Sequence, residues 1–274
     1  MFASFLLSLR EGIEAALIIG IVLGTLRKIK RTDLAPRVWY GAISAAVLSL
    51  AAGILLTSLG LQLKGKAEEI FEGFAMIVAA GVLTWMIFWM RRQARHIKER
   101  LESGVEQAAL QMGRHGLFAL AFLAALREGI ELALFLTAAV FASSPQQTII
   151  GGLLGLGTAI LLGWLLFFST IQLNLQRFFQ VTGALLLLFA AGLVAHGIHE
   201  FNEVGWIPGI IEHVWNTNSI IDESSTLGVM LKALFGYNGN PSLTEVIAYL
   251  AYLGGIIFAL RETENKTVPA AEAA

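Results

Sequence analysis

Arg10, Glu11 and Glu14 sit inside one long apolar run, and Arg127, Glu128 and Glu131 sit inside another, in the same five-residue string, Arg-Glu-Gly-Ile-Glu. On a helix, positions i and i+4 share a face, as do i and i+3. Arg10 therefore lies over Glu14, with Glu11 beside it, and Arg127 stands the same way to Glu128 and Glu131. Each guanidinium can neutralise one carboxylate and fix its rotamer, which leaves the other carboxylate over. If the two strings meet, four carboxylates and two guanidiniums converge with a surplus of two negative charges. That surplus suits a hard, multivalent cation. Oxygen ligands favour Mg, Ca, Mn and other hard ions, while soft ions prefer sulfur. Ligand type alone does not separate iron(III) from Mn or Ca. Gly12 and Gly129 remove side-chain bulk, so that another helix can approach closely.

An ionisable residue at the centre of a membrane span costs about 2.5–3.5 kcal/mol on insertion scales, and such residues are functional by default. Three per span, in two spans, point to work done by carboxylates within a bilayer. Further candidates lie near helix ends. Glu69 and Glu72 repeat the i, i+3 spacing and either join the central site or form an access site above it. Glu68 and Glu69 also suit a solvated helix N-terminus. His196, His199 and Glu200 share one helical face, which Glu203 extends. This is either an outer metal-capture site or a polar helix end at the interface. The spacing is not His-Glu-x-x-His, so a zinc protease is excluded. Met86 and Met90 read as facing lipid or core. The chain has no Cys, which excludes disulfides and thiolate metal sites.

The elements that hold these residues must be membrane helices. Apolar residues make up 56% of the chain and charged residues 14%, with a mean hydropathy of +0.71; soluble domains carry about 25% charged residues. A net charge of −1 implies no attraction to nucleic acid. Spans of about 20 residues are expected at roughly 4–26, 38–62, 70–90, 117–141, 149–171, 181–202 and 244–261. The fold class is thus all-α: a polytopic membrane protein with about seven transmembrane helices. Arg and Lys concentrate between spans one and two, three and four, and five and six. By the positive-inside rule these loops are cytoplasmic, the N-terminus is outside and the C-terminus inside.

The two strings are 127 − 10 = 117 residues apart. A second echo links Gly73…Ala79-Ala80-Gly81 to Gly183…Ala190-Ala191-Gly192. Spans one to three therefore resemble spans four to six, and because three is odd the second half crosses in the opposite sense. This 3+3 inverted repeat plus one C-terminal helix is an architecture of secondary transporters, whose sites lie near the midplane at the repeat interface. The expected organisation is a single transmembrane permease domain over 1–262. It divides into repeat one at about 4–92, repeat two at about 117–202, an interfacial outer loop at about 203–243 and the last span at about 244–261, with a flexible tail at 263–274. Trp206, Trp215, Phe235 and Tyr237 suggest that the outer loop lies on the interface, with Ser224 or Ser225 capping a short helix through Phe235. The charged stretch 93–115 is expected to be a short solvated helix.

The two Arg-Glu-Gly-Ile-Glu strings, with Phe71-Glu72-Gly73, Thr84-Trp85-Met86-x-Phe88-Trp89-Met90-Arg91 and Phe235-Gly236-Tyr237, resemble the high-affinity iron permease family (oxidase-dependent iron transporters), and within it the bacterial Efe-type permeases. The resemblance covers nearly the whole chain. It implies a transporter rather than an enzyme, located in the cytoplasmic (inner) membrane and importing iron as iron(III) after oxidation outside. It implies that Glu11, Glu14, Glu128 and Glu131 coordinate the iron. No permanently bound cofactor is implied; iron is the transported substrate. The implied partners are the membrane lipid and extracellular or periplasmic iron-binding or iron-oxidising proteins; glycine-rich helix faces would also support a homo-oligomer. The competing readings are a secondary transporter of Mn, Ca or protons, and an intramembrane metal-dependent oxidoreductase.

Overall fold

A computed structural model of the chain describes residues 1–93, 103–105, 113–168, 174–223 and 225–265. Every regular element among them is helical, giving an all-α polytopic membrane protein. The order is α1 (Phe2–Lys28), a 3-10 turn (Thr32–Leu34), α2 (Ala35–Gln62), α3 (Lys66–Gln93), α4 (Gly113–Ala142), α5 (Pro145–Phe168), α6 (Leu175–Val204), α7 (Thr226–Phe235) and α8 (Leu243–Asn265). The boundaries follow local chemistry. Pro36 stands in the first turn of α2, where its missing N–H costs nothing. Asn174 caps α6 by accepting from the Arg177 N–H at 3.0 Å. Gly205, at φ 81°, ends the same helix.

Five helices are long and apolar enough to cross a membrane on length and composition alone: Thr32–Gln62, Lys66–Met90, Pro145–Leu165, Leu175–Val204 and Leu243–Glu262. α1 and α4 have the length, at 27 and 30 residues, but carry the three motif charges each. They complete the seven. Most of the stretch expected as a solvated helix at 93–115 lies outside the described residues. Within it, Ser103–Val105 is helical, and Val105 is buried against Val22, Leu26, Leu34, Val38, Leu117 and Ala121.

The inverted repeat can be followed residue by residue. α1 packs most extensively on α5, and α2 on α4. A Cβ on Gly12 would stand 2.6 Å from Ala159 Cβ, and one on Gly129 would collide with the Ser49 hydroxyl. Likewise Gly163 faces Ala16, and Gly53 faces Ala133; Gly151 meets the Met1 carbonyl, and Gly41 the Phe118 carbonyl. The differences 129 − 12, 133 − 16 and 118 − 1 are all 117, while 159 − 49, 163 − 53 and 151 − 41 are all 110. One exchange of α1 with α4 and α2 with α5 therefore maps each contact onto another. The counterpart helices run antiparallel. Ala3 and Leu7 of α1 share a core with Phe135 and Ala142 of α4, whereas Val22 and Leu26 share one with Leu117 and Ala121. In the same sense Gly73 of α3 meets Phe201 of α6, Gly197 meets Ile77, and Gly183 meets Ile87. Both motifs are thereby brought to the centre, facing each other from opposite directions.

The segment between α6 and α8 re-enters the bundle. Trp206 and Trp215 are exposed, at 58% and 43%, as interfacial aromatic rings are. α7, however, touches α1, α4 and α6, and Gly236 just beyond it meets Gly192 backbone to backbone. Gly192 is 204 − 192 = 12 residues in from the end of α6, about 18 Å by helix rise. Backbone at that depth must satisfy its own hydrogen bonds. Ser225 accepts from the Gly228 N–H at 3.0 Å, and the Gly236 and Tyr237 N–H groups donate to Lys232 and Leu231 carbonyls at 3.0 and 3.3 Å. Gly236 also adopts φ 66°, so it combines a left-handed backbone with a contact that leaves no room for a side chain. Gly236→Ala is expected to destabilise the protein by about 1–3 kcal/mol, read as a lowered unfolding midpoint in detergent; an unchanged midpoint would refute this docking of α7.

Candidate metal centre

Five of the six charged motif residues are buried in the bundle, and Arg127 is half-buried. Arg10 and Glu11 are each 1% exposed, Glu14 and Glu131 each 8%, and Glu128 5%. The pairing expected from helical spacing is present. Arg10 Nη2 lies 3.1 Å from Glu14 Oε1, and Arg127 Nε lies 2.9 Å from Glu131 Oε1. The adjacent acids stand farther off, with Arg10 Nη1 to Glu11 Oε1 at 3.8 Å and Arg127 Nε to Glu128 Oε1 at 3.9 Å. Each arginine thus commits to the acid four residues on and holds the acid beside it more loosely.

The two more loosely held acids converge across the repeat, and Glu131 joins them while bonded to Arg127. Glu11 of α1 joins Glu128 and Glu131 of α4, with one oxygen from each lying within 4.8 Å of the others. Oxygens bound to one ion at about 2–2.5 Å stand at most about 5 Å apart, so the group is already at ligand spacing. Both oxygens of Glu11, and Oε2 of Glu128 and of Glu131, are buried with no hydrogen-bond partner among the described residues. Buried acceptors of this kind are expensive, and a cation is what would offset them. Glu14 is outside this trio; its Oε1 lies 3.1 Å from Arg10 but, like those oxygens of the trio, has no hydrogen-bond partner among the described residues. Gly12 and Gly129 do not face the carboxylates; they seat α1 on α5 and α4 on α2, which fixes the rotation that turns the acids inward.

α3 supplies two contacts that spacing could not reveal. Arg10 Nη2 donates to Met90 Sδ at 3.1 Å. Arg127 Cζ lies 4.2 Å from the centroid of the Trp89 ring, a cation–π distance. Met90 is buried, as a core methionine. Trp85 is 58% exposed while Trp89 is half-buried beneath the guanidinium. The two tryptophans, four residues apart, share a helix face and stack at 6.3 Å between ring centroids; Trp89 lies one turn farther along, under Arg127.

The remaining candidates are at the end of the bundle that carries Met1. Glu69 and Glu72 are half-buried, and Glu72 lies within electrostatic reach of Glu68, Glu69 and Glu200. Glu72 is not in the central trio. Two of the four residues on the face of α6 have other hydrogen-bond partners. His196 Nδ1 is 3.1 Å from the Gly192 carbonyl of its own helix, while His199 Nδ1 is 3.1 Å from Glu245 Oε1 on α8. Glu200 lies within electrostatic reach of His199, Glu69 and Glu203, and Glu203 is exposed. Glu245 is a residue that sequence reasoning missed. It is 3% exposed and also accepts from Asn238 Nδ2 at 2.7 Å and from the Ser242 N–H at 3.1 Å. It ties α6, α8 and the loop after α7 together. Its position in the first turn of α8 reads locally as an ordinary acidic N-terminus, which is why it was not singled out.

The sequence model of the iron permease FTR1 family matches residues 1–262. A protein of Escherichia coli O157:H7 called ferrous iron permease EfeU is 38% identical over 256 residues, covering 92% of each chain. The Yersinia pestis protein of the same name is 37% identical over 278 residues, covering 99% of this chain and 98% of its own. The relative in E. coli strain K12, 38% identical over 256 residues, is called a putative inactive ferrous iron permease. Among solved structures none matches.

Proposed function

The chain belongs to the iron permease FTR1 family, a family of transporters rather than enzymes, and from that premise we propose that it imports iron across the cytoplasmic membrane through the trio Glu11, Glu128 and Glu131, with Glu14 as a fourth ligand held in reserve. The observation that carries this reading is the buried group of three carboxylates at ligand spacing, with oxygens that no protein donor satisfies. Membership supports iron as the cargo, and the geometry of the trio supports it as the place of binding.

The orientation follows from charge. The end carrying Met1, the α2–α3 turn and the α7 segment faces outside, and the Arg- and Lys-rich connections face the cytoplasm. Iron then arrives past Glu69, Glu72, Glu200 and Glu203, which concentrate it above the central trio. His196 and His199 are engaged by a backbone carbonyl and by Glu245, so they serve the shape of this mouth more than capture. Relatives are named for ferrous iron, while the family resemblance implies iron(III) as the permeating form. The two are compatible when ferrous iron is supplied and a partner at the outer face oxidises it.

Proteoliposomes loaded with an iron-sensitive dye test the reading. Iron(III) is expected to enter, iron(II) to enter only once it is oxidised outside, and excess Mn or Ca to compete weakly. Uptake of Mn or Ca with iron excluded would replace iron by another hard cation, and metal-dependent redox turnover without net transport would favour the oxidoreductase reading.

A further inference from the structure

The exchange that relates the two halves demands that Arg10 and Arg127 be treated alike, and they are not. The Arg10 side chain is 2% exposed and the Arg127 side chain 35%. Both guanidiniums are met by α3, at the neighbouring residues Met90 and Trp89. The counterpart helix α6 supplies neither. With Ala79-Ala80-Gly81 aligned on Ala190-Ala191-Gly192, an offset of 111, the counterpart of Trp89 is Glu200. Glu200 lies among Glu69, Glu203 and Lys232, away from either arginine. The indole under Arg127 is therefore a feature of one half only.

Its position has a chemical consequence. Arg127 is held along one edge by Glu131 at 2.9 Å and over one face by Trp89. A guanidinium that is one-third exposed has water as an alternative partner. Two of the three converging carboxylates, Glu128 and Glu131, take their counter-charge from this one side chain. Seated, Arg127 moderates the negative charge that a cation meets. Swung out, it leaves the trio more negative and the ion held harder.

We propose that Trp89 is a positioning residue of the transport site: its ring face keeps the Arg127 guanidinium seated against Glu131 and Glu128, and so sets how tightly the carboxylate trio holds its cation and how readily it lets go. This rests on the reading of the trio as the iron site. Trp89 touches no cargo and acts through Arg127. Weakening the stack binds iron more tightly and transports it more slowly, a split that loss of packing would not produce.

The test uses the full chain with tryptophans of increasing fluorination placed at position 89 by nonsense suppression, which drains the ring face of charge with little change of shape. Iron binding is titrated on purified protein in detergent, and iron uptake is measured in proteoliposomes. Across the series, the apparent Kd and KM are expected to fall stepwise by about two- to fivefold in total, with the maximal rate falling alongside. Trp89→Phe is expected to stay within about twofold of the unsubstituted protein, and Trp89→Leu to match the most fluorinated ring. A flat series in both binding and rate overturns the proposal, as does Trp89→Leu behaving like Trp89→Phe. The function reading fails separately: unsubstituted protein that binds iron and transports none would refute import, while the binding series would still report on Trp89.

Discussion

Glu11→Gln and Glu128→Gln are each expected to reduce iron uptake by at least about a hundredfold, since outer-shell partners of a metal alone typically cost 10- to 100-fold. Glutamine keeps the size and shape of the side chain and removes the charge. These two acids are the more loosely held partners of their arginines, at 3.8 and 3.9 Å. Their oxygens are free to bind an ion. Glu131→Gln should fall nearly as far, because Glu131 both joins the trio and anchors Arg127. Glu14→Gln is expected to cost much less, because the Glu14 carboxylate is engaged by Arg10 at 3.1 Å and lies outside the trio. The measurement is uptake in proteoliposomes alongside an iron titration in detergent, with the unfolding midpoint as a control for folding. Removing one of several clustered like charges should leave that midpoint unchanged or raised. If Glu14→Gln loses uptake as completely as Glu128→Gln, the four acids act equally and the asymmetric trio is wrong. Undiminished uptake in both Glu14→Gln and Glu131→Gln would remove the coordination model altogether.

What the sequence disclosed, and what it withheld, divides along the range of the interaction. The pairing of Arg10 with Glu14, and of Arg127 with Glu131, is set by helical spacing, which any short stretch of sequence carries. The helix positions are set by runs of apolar residues and were legible to within several residues. Ser225 as the α7 cap is equally local. The inverted repeat was legible because two strings and an Ala-Ala-Gly echo recur. The partners contributed by α3 and α8 were not. A membrane helix is apolar on every side, so its sequence does not announce which face turns inward. Trp85 and Trp89 share a face and stack on each other, yet only Trp89, one turn farther along α3, lies under Arg127. Glu245 resembles any acid in a first helical turn until α6 brings His199 to it. The depth of α7 depends on two glycines, 192 and 236, that are adjacent only in the folded chain.

Arg10→Leu is expected to be the most damaging single change to folding. Arg10 is 1% exposed, and its guanidinium is the nearest cation to both Glu14 and Glu11. Breaking a buried ion pair from one side costs about 3–5 kcal/mol, because the remaining charge is left uncompensated. Leucine would also leave the Met90 sulfur without its donor, a smaller loss. The expected result is a sharp fall in the monodisperse fraction on detergent size exclusion and in the unfolding midpoint. A double substitution separates charge from packing. With Glu14→Gln added, the uncompensated carboxylate is gone, and most of the lost stability should return; the coupling between the two sites then measures the pair itself. Arg127→Leu should be milder for folding, since the Arg127 side chain is 35% exposed and its ion pairs are already partly screened by water on that side. Its effect should fall instead on iron affinity, in the direction of tighter binding. If Arg10→Leu folds as well as Arg127→Leu, or if Glu14→Gln fails to restore it, then Arg10 is not the structural counter-ion of its half. The two guanidiniums would then share one role, and the difference in their burial would have no energetic weight.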